Sequence, residues 1–84
     1  LMSVEGRFDY IFSNPPFHQG KRTDYEFALR LFRDARQHMT RDGQLWIVAN
    51  RHLAYEEWAS EAFRSAEVMV QRNGFKLICA SDPK

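Results

Sequence analysis

The sequence predicts an α/β domain of order βαβαββ, with a mixed sheet whose last strand runs antiparallel. Three observations predict it. A short aromatic and β-branched run, Phe8-Asp9-Tyr10-Ile11-Phe12, is stopped by Asn14-Pro15-Pro16. Apolar residues then recur at helical spacing before a continuous apolar run, the pattern of a strand, a crossover helix and a parallel neighbour. Near the end, two apolar runs flank Asn73-Gly74, the dipeptide of a tight hairpin turn.

Each element has its own warrant. The two prolines after the first run lack backbone donors and forbid both helix and ladder, so residues 8–12 form a strand ending in a rigid loop. Thr23 and Glu26 have capping-box spacing, which predicts a helix start at Thr23. Ala28, Leu31, Phe32, Ala35 and Met39 follow at three- and four-residue intervals, so that helix is expected to reach about Thr40, with Gly43 as its stop. Leu45-Trp46-Ile47-Val48-Ala49 is apolar without alternation, as in a central parallel strand buried on both faces. Tyr55, Trp58, Ala59, Ala62 and Phe63 form a second, shorter helical stripe. Val68-Met69-Val70 and Phe75-Lys76-Leu77-Ile78-Cys79 supply the last two strands. Right-handed crossovers put both helices on one face. The other face is left bare, and the edge of residues 8–12 unpaired.

Composition limits the function classes. Eighty-four residues, 44% hydrophobic, make one domain. A chain this short buries only roughly 60% of its unfolded surface, a marginal core unless something else covers it. Twelve Lys+Arg against eleven Asp+Glu give no general electrostatic footprint for nucleic acid or membrane, so any basic contact must be local. The longest apolar run falls far short of the roughly 20 residues that span a bilayer. A lone Cys79 in an apolar run forms no internal disulfide and suits a buried thiol in a reducing cytoplasm. His18, His38 and His52 lack metal-ligand spacing, and no metal is expected. Leu1 in place of an initiator Met, with no leader pattern after it, reads as a piece of a longer protein.

The chemistry is concentrated at Asn14-Pro15-Pro16-Phe17, at the carboxyl end of a predicted parallel strand, where open α/β sheets bind ligands. The Asn14 side-chain oxygen and the Pro15 carbonyl, set by two locked φ angles, can accept both hydrogens of an exocyclic amine. Phe17 can stack on the ring that bears it. Two such acceptors stabilise the positive charge that grows on the nitrogen as it attacks an electrophilic methyl, so no strong base is required. His18 adjoins the motif, while Arg51 and His52, like Lys21 and Arg22, can reach a phosphate from the same edge. Arg30, Arg33 and Arg36 are read as a solvated face interrupted by Asp34, and Trp46 and Trp58 as packing residues. His38 is a helix-end residue.

The stretch from Phe8 to His18, together with Leu45-Trp46-Ile47-Val48-Ala49-Asn50-Arg51-His52-Leu53, resembles the second half of the bacterial S-adenosylmethionine-dependent ribosomal-RNA guanine-N2 methyltransferases. His18 and the Val-Ala-Asn-Arg-His-Leu segment point to the ribosomal-RNA branch, nearest to its large-subunit members. The resemblance implies that residues 1–84 are the C-terminal half of a Rossmann-like methyltransferase domain, strands four to seven. It implies S-adenosylmethionine as cofactor and ribosomal RNA as partner. Asn14 and Pro15 match the family's amine acceptors, Pro16 the rigid element and Phe17 the base-stacking aromatic. The family's glycine-rich loop and acidic cofactor residue have no counterpart, since Gly6 and Gly20 are isolated. Asn14 is left as the one candidate here for a cofactor contact. The tetrad alone also fits methylation of adenine N6 or a protein glutamine, and the chain alone also fits a non-catalytic RNA-binding module. The isolated piece is expected to be inactive and to self-associate through its open edge or face.

Overall fold

The computed structural model describes residues 8–15 and 21–84. The elements run β1 (Phe8–Ser13), α1 (Lys21–His38), β2 (Met39–Asn50), α2 (Tyr55–Ala59), β3 (Phe63–Arg72) and β4 (Phe75–Pro83). The predicted βαβαββ order is the observed one. One four-stranded sheet has the spatial order β1-β2-β4-β3, with β1 and β2 parallel and β4 antiparallel to both its neighbours. Among the described residues β1 is therefore an edge strand.

Both helices lie on one face. Ala28, Leu31, Phe32 and Ala35 of α1 are buried with Leu45, Ile47 and Ala49 of β2 and Ile78 and Ala80 of β4. The Phe32 ring meets Tyr55 and Phe63 edge to face, at centroid distances of 6.3 and 5.9 Å, which ties α1 to α2 and β3. Lys76, nearly buried on β4, places its ammonium 2.6 Å from the Glu56 carboxylate of α2. A buried cation needs such a partner.

Several boundaries differ from the sequence expectation. α1 starts at Lys21, not Thr23, and Glu26 pairs with Arg22 at 3.2 Å instead of capping the helix. Asp24, fully buried, already faces inward from the first turn. α1 ends at His38 and the chain enters β2 directly, so Gly43 is buried inside a strand instead of ending a helix. The extra residues are absorbed where Phe8 pairs with Met39 but Tyr10 with Gln44, beside a 2.9 Å bond from the Thr40 hydroxyl to Asp9. α2 stops at Ala59. The Ser60 hydroxyl and amide both bond the Glu56 carbonyl, and Lys84 N–H donates to the Ala62 carbonyl, drawing Ala62 and Phe63 towards the sheet. The hairpin is as predicted: Asn73 and Gly74 have φ of 53° and 83°, the left-handed pair that such a turn requires.

β2 is not buried on both faces. Leu45, Ile47 and Ala49 are buried under the helices, while Trp46 and Val48 on the opposite face are only half-buried. Trp46 therefore packs away from the helices, stacked on Phe12 at 6.3 Å, its indole N–H donating to Gln44. Cys79 shares that face and is also half-buried, its thiol pushed up first by burial and then by Glu67. Among the described residues, no helix is long and apolar enough to cross a membrane, and no three His, Cys, Asp or Glu gather as a metal site.

Candidate functional site at the carboxyl edge of the sheet

The site grows from the end of β1. Ser13 pairs with Ile47, so Asn14 leaves the ladder at the level of Val48, where two successive prolines bar further pairing. Asn14 is exposed and Pro15 half-buried. Phe12, Ser13 and Asn14 form one wall of a cleft of about 520 Å³, and Phe27, Arg30, Leu31, Arg33 and Asp34 of α1 form the other. Arg30 and Arg33 thus flank the Asn14 cleft, whereas Arg36, half-buried, faces a different hollow at the opposite sheet edge. Pro16, Phe17 and His18 lie outside the described residues.

Because β1 and β2 are parallel neighbours, the loop after β2 reaches the same edge. Three hydrogen bonds fix this loop. Arg51 N–H donates to the Gly74 carbonyl at 2.9 Å, His52 N–H to the Asn50 side chain at 2.9 Å and Leu53 N–H to the Asn50 carbonyl at 3.1 Å. The Asn50 carboxamide shapes an Asx turn, and buried Leu53 anchors it. Arg51 and His52 are exposed on this fixed turn.

Beside the turn lies a second pocket of about 400 Å³, lined by Arg22, Tyr25, His52, Leu53, Ala54 and Trp58. Trp58 stands between Tyr25 and Tyr55, with centroid distances of 5.4 and 5.1 Å. The Tyr25 hydroxyl donates to Glu61 at 2.9 Å, and that bond, more than burial or the charge of Glu61, raises its pKa. Tyr55 is buried, and burial with the nearby Asp24 carboxylate pushes its phenol well above the usual range. Trp58 packs against the core as the sequence suggested. Tyr25 is the residue that sequence reasoning missed. It is separated from Trp58 by a whole strand and carries no local signal.

The family model of the methyltransferase small domain matches residues 1–79. The chain belongs to this methyltransferase family. Among its relatives, ribosomal RNA small subunit methyltransferase C of Acinetobacter baylyi is 46% identical over 72 residues, covering 86% of this chain and 21% of that protein. The protein of the same name from Marinomonas sp. is 39% identical over 84 residues, covering 100% and 24%. A solved structure, the T. thermophilus 16S rRNA N2 G1207 methyltransferase in complex with AdoMet and guanosine, superposes with a TM-score of 0.71 at 28% identity, covering 93% of this chain and 21% of that one. This methyltransferase segment thus spans about a fifth to a quarter of the length of the relatives it matches. These relatives are small-subunit enzymes, and they lend no support to the expected large-subunit affinity.

Proposed function

We propose that this chain is the amine-receiving part of a methyltransferase that moves a methyl group from S-adenosylmethionine to the exocyclic N2 of a guanine in ribosomal RNA, in the cytoplasm. One observation carries the reading: within a methyltransferase domain, an exposed Asn14 followed by Pro15 stands at the carboxyl end of a parallel strand, on an open cleft. The likeness to a 16S rRNA N2 G1207 methyltransferase supports guanine N2 as the acceptor.

In this reading the Asn14 Oδ1 and the Pro15 carbonyl accept the two amine hydrogens. Their dipoles turn the nitrogen lone pair towards the incoming methyl and stabilise the positive charge that develops on nitrogen. Neither acceptor has to take a proton for that, and the product sheds one to water. Phe17 is assigned to stacking on the base by its place in the motif, Pro16 to holding the acceptors rigid, and His18 and Arg51 to substrate contact. The guanine must be flipped out or single-stranded, because a stacked base cannot present its amine to this edge.

The described residues fit the acceptor side of this chemistry and not a cofactor cradle. β2 ends at Asn50 and is followed by Arg51 and His52, with neither a glycine-rich turn nor an acidic group for a ribose hydroxyl. S-adenosylmethionine, the methyl source, is then gripped chiefly by other segments of the complete protein. The test is Asn14→Ala in that protein, with labelled cofactor, ribosomal RNA and nucleoside analysis. N2-methylguanosine is expected from the wild type and loss of at least a hundredfold in rate from the variant. Retained transfer refutes the role of Asn14, and label on adenine or protein refutes the acceptor. We further infer that the isolated chain self-associates through the β1 edge or the open face, where Tyr10 and Phe12 are 66% and 71% exposed.

A further inference from the structure

We propose that the 400 Å³ pocket beside the turn after β2 is a subsite for one unstacked nucleotide flanking the target guanine, its base against Trp58 and Tyr25 and its phosphate between Arg22 and His52. The inference rests on the reading of this chain as part of an RNA methyltransferase. Four features of the pocket carry it.

The pocket opens on the same sheet edge as Asn14, so a strand that delivers a base to Asn14 passes it. Its volume falls within the range of small-molecule sites, and its walls combine aromatic and aliphatic surface with a guanidinium and an imidazole. That is the composition of a single-strand site, where bases stack on aromatic rings and cations follow the backbone. A small anion would find too much apolar wall here.

The pocket is also ordered in advance. Trp58 is wedged between two tyrosines, Tyr25 is tethered to Glu61, and His52 sits on a turn held by three hydrogen bonds. A base docking there freezes few side chains, which keeps the entropic cost of binding low. Arg22 is the adjustable element. Its side chain is 93% exposed and is held by a solvent-exposed pair with Glu26. Such pairs contribute little, so a phosphate can take over the guanidinium with small loss.

The experiment uses the complete protein and fluorescence anisotropy with a labelled single-stranded oligoribonucleotide that carries the target guanine. A second oligonucleotide is abasic at the positions flanking that guanine. Removing the flanking bases is expected to weaken wild-type binding about tenfold, as loss of one stacked base does. Arg22→Ala combined with His52→Ala is expected to weaken binding of the intact oligonucleotide about tenfold, and the Arg22 change to flatten its salt dependence by about one phosphate. Trp58→Phe is expected to weaken the intact oligonucleotide more than the abasic one. Arg64→Ala, which removes the same charge beside Asp82 at the opposite sheet edge, is expected to leave the affinity within about twofold. Unchanged affinity for the abasic oligonucleotide, or equal loss in Arg64→Ala, overturns the subsite. Methylation of the guanine is scored separately. Methylation without any effect of these changes sinks the subsite alone, whereas the predicted binding losses without methylation sink the enzymatic reading and leave an RNA contact.

Discussion

The two faces of the sheet teach different things from the same strands. Along β2, Leu45, Ile47 and Ala49 are sealed under α1 and α2, while Trp46 and Val48, one residue out of phase, stay half open. On β1 the contrast is sharper, with Ile11 5% exposed and Phe12 71%. Hydrophobicity is thus distributed over two faces, and the described residues cover one. On the covered face an apolar side chain contributes about 1.5–3 kcal/mol by leaving water. On the open face the same residue types stay partly in water and contribute less within the chain.

The largest break in this contrast comes from the covered face. Phe32→Ala removes the ring that joins α1 to Tyr55 and Phe63, and is expected to cost about 4 kcal/mol in urea denaturation. A loss under about 1 kcal/mol would show that the helix layer is not the core. Next in size, Glu56→Gln leaves the Lys76 ammonium in its apolar site without a counter-charge, at a cost of about 3 kcal/mol. Reversal to near wild type by the additional change Lys76→Met would confirm that the uncompensated charge, and not lost packing, was responsible.

A smaller effect concerns protons on the covered face. The unfolded chain ionises Tyr55 at about 10, whereas the fold holds the phenol neutral, so the unfolded state releases its proton first. The stability that this contributes is complete below that pH and is lost as pH rises above it. Tyr55→Phe should therefore flatten the alkaline fall in urea midpoint. Its buried hydroxyl has no hydrogen-bond partner among the described residues, so the change at neutral pH should be neutral or stabilising by up to about 1 kcal/mol. The smallest effect on stability is expected on the open face, where Phe12→Ser should shift it by less than about 0.5 kcal/mol. Light scattering at high concentration is the telling measurement there: reduced self-association is expected, and an unchanged oligomer distribution would direct attention away from this face.

What could be read from the sequence follows from how local each signal is. The end of β1 just before Pro15, the α1 stripe from Ala28 to Ala35 and the Asn73-Gly74 turn are encoded within a few residues, and each is found where expected, whereas Met39, the last residue of the expected stripe, belongs to β2. Element ends were less legible because distant partners set them. Thr23 and Glu26 have the spacing of a cap, yet Arg22 takes the carboxylate. Phe63 continues a helical stripe, yet pairing with Pro83 recruits it to β3. At the site, Asn14, Arg51 and His52 could be placed because each follows a strand. The Tyr25, Trp58 and Arg22 grouping could not, since α1 and α2 must first dock to bring it together.

The position of β4 has a consequence for biosynthesis. Although it follows β3 in the chain, it lies between β2 and β3 and pairs with both. As the polypeptide leaves the ribosome, β3 emerges before its hydrogen-bonding neighbour in the sheet has been made. Val68, Met69 and Val70, between 39% and 49% exposed even in the finished fold, are then presented as an unpaired apolar strand until residues 75–83 follow. At about 5–20 residues per second that interval lasts on the order of a second, long beside hairpin closure. Slowed translation across this stretch would lengthen the exposure, and nascent-chain aggregation or chaperone recruitment is where that delay would register.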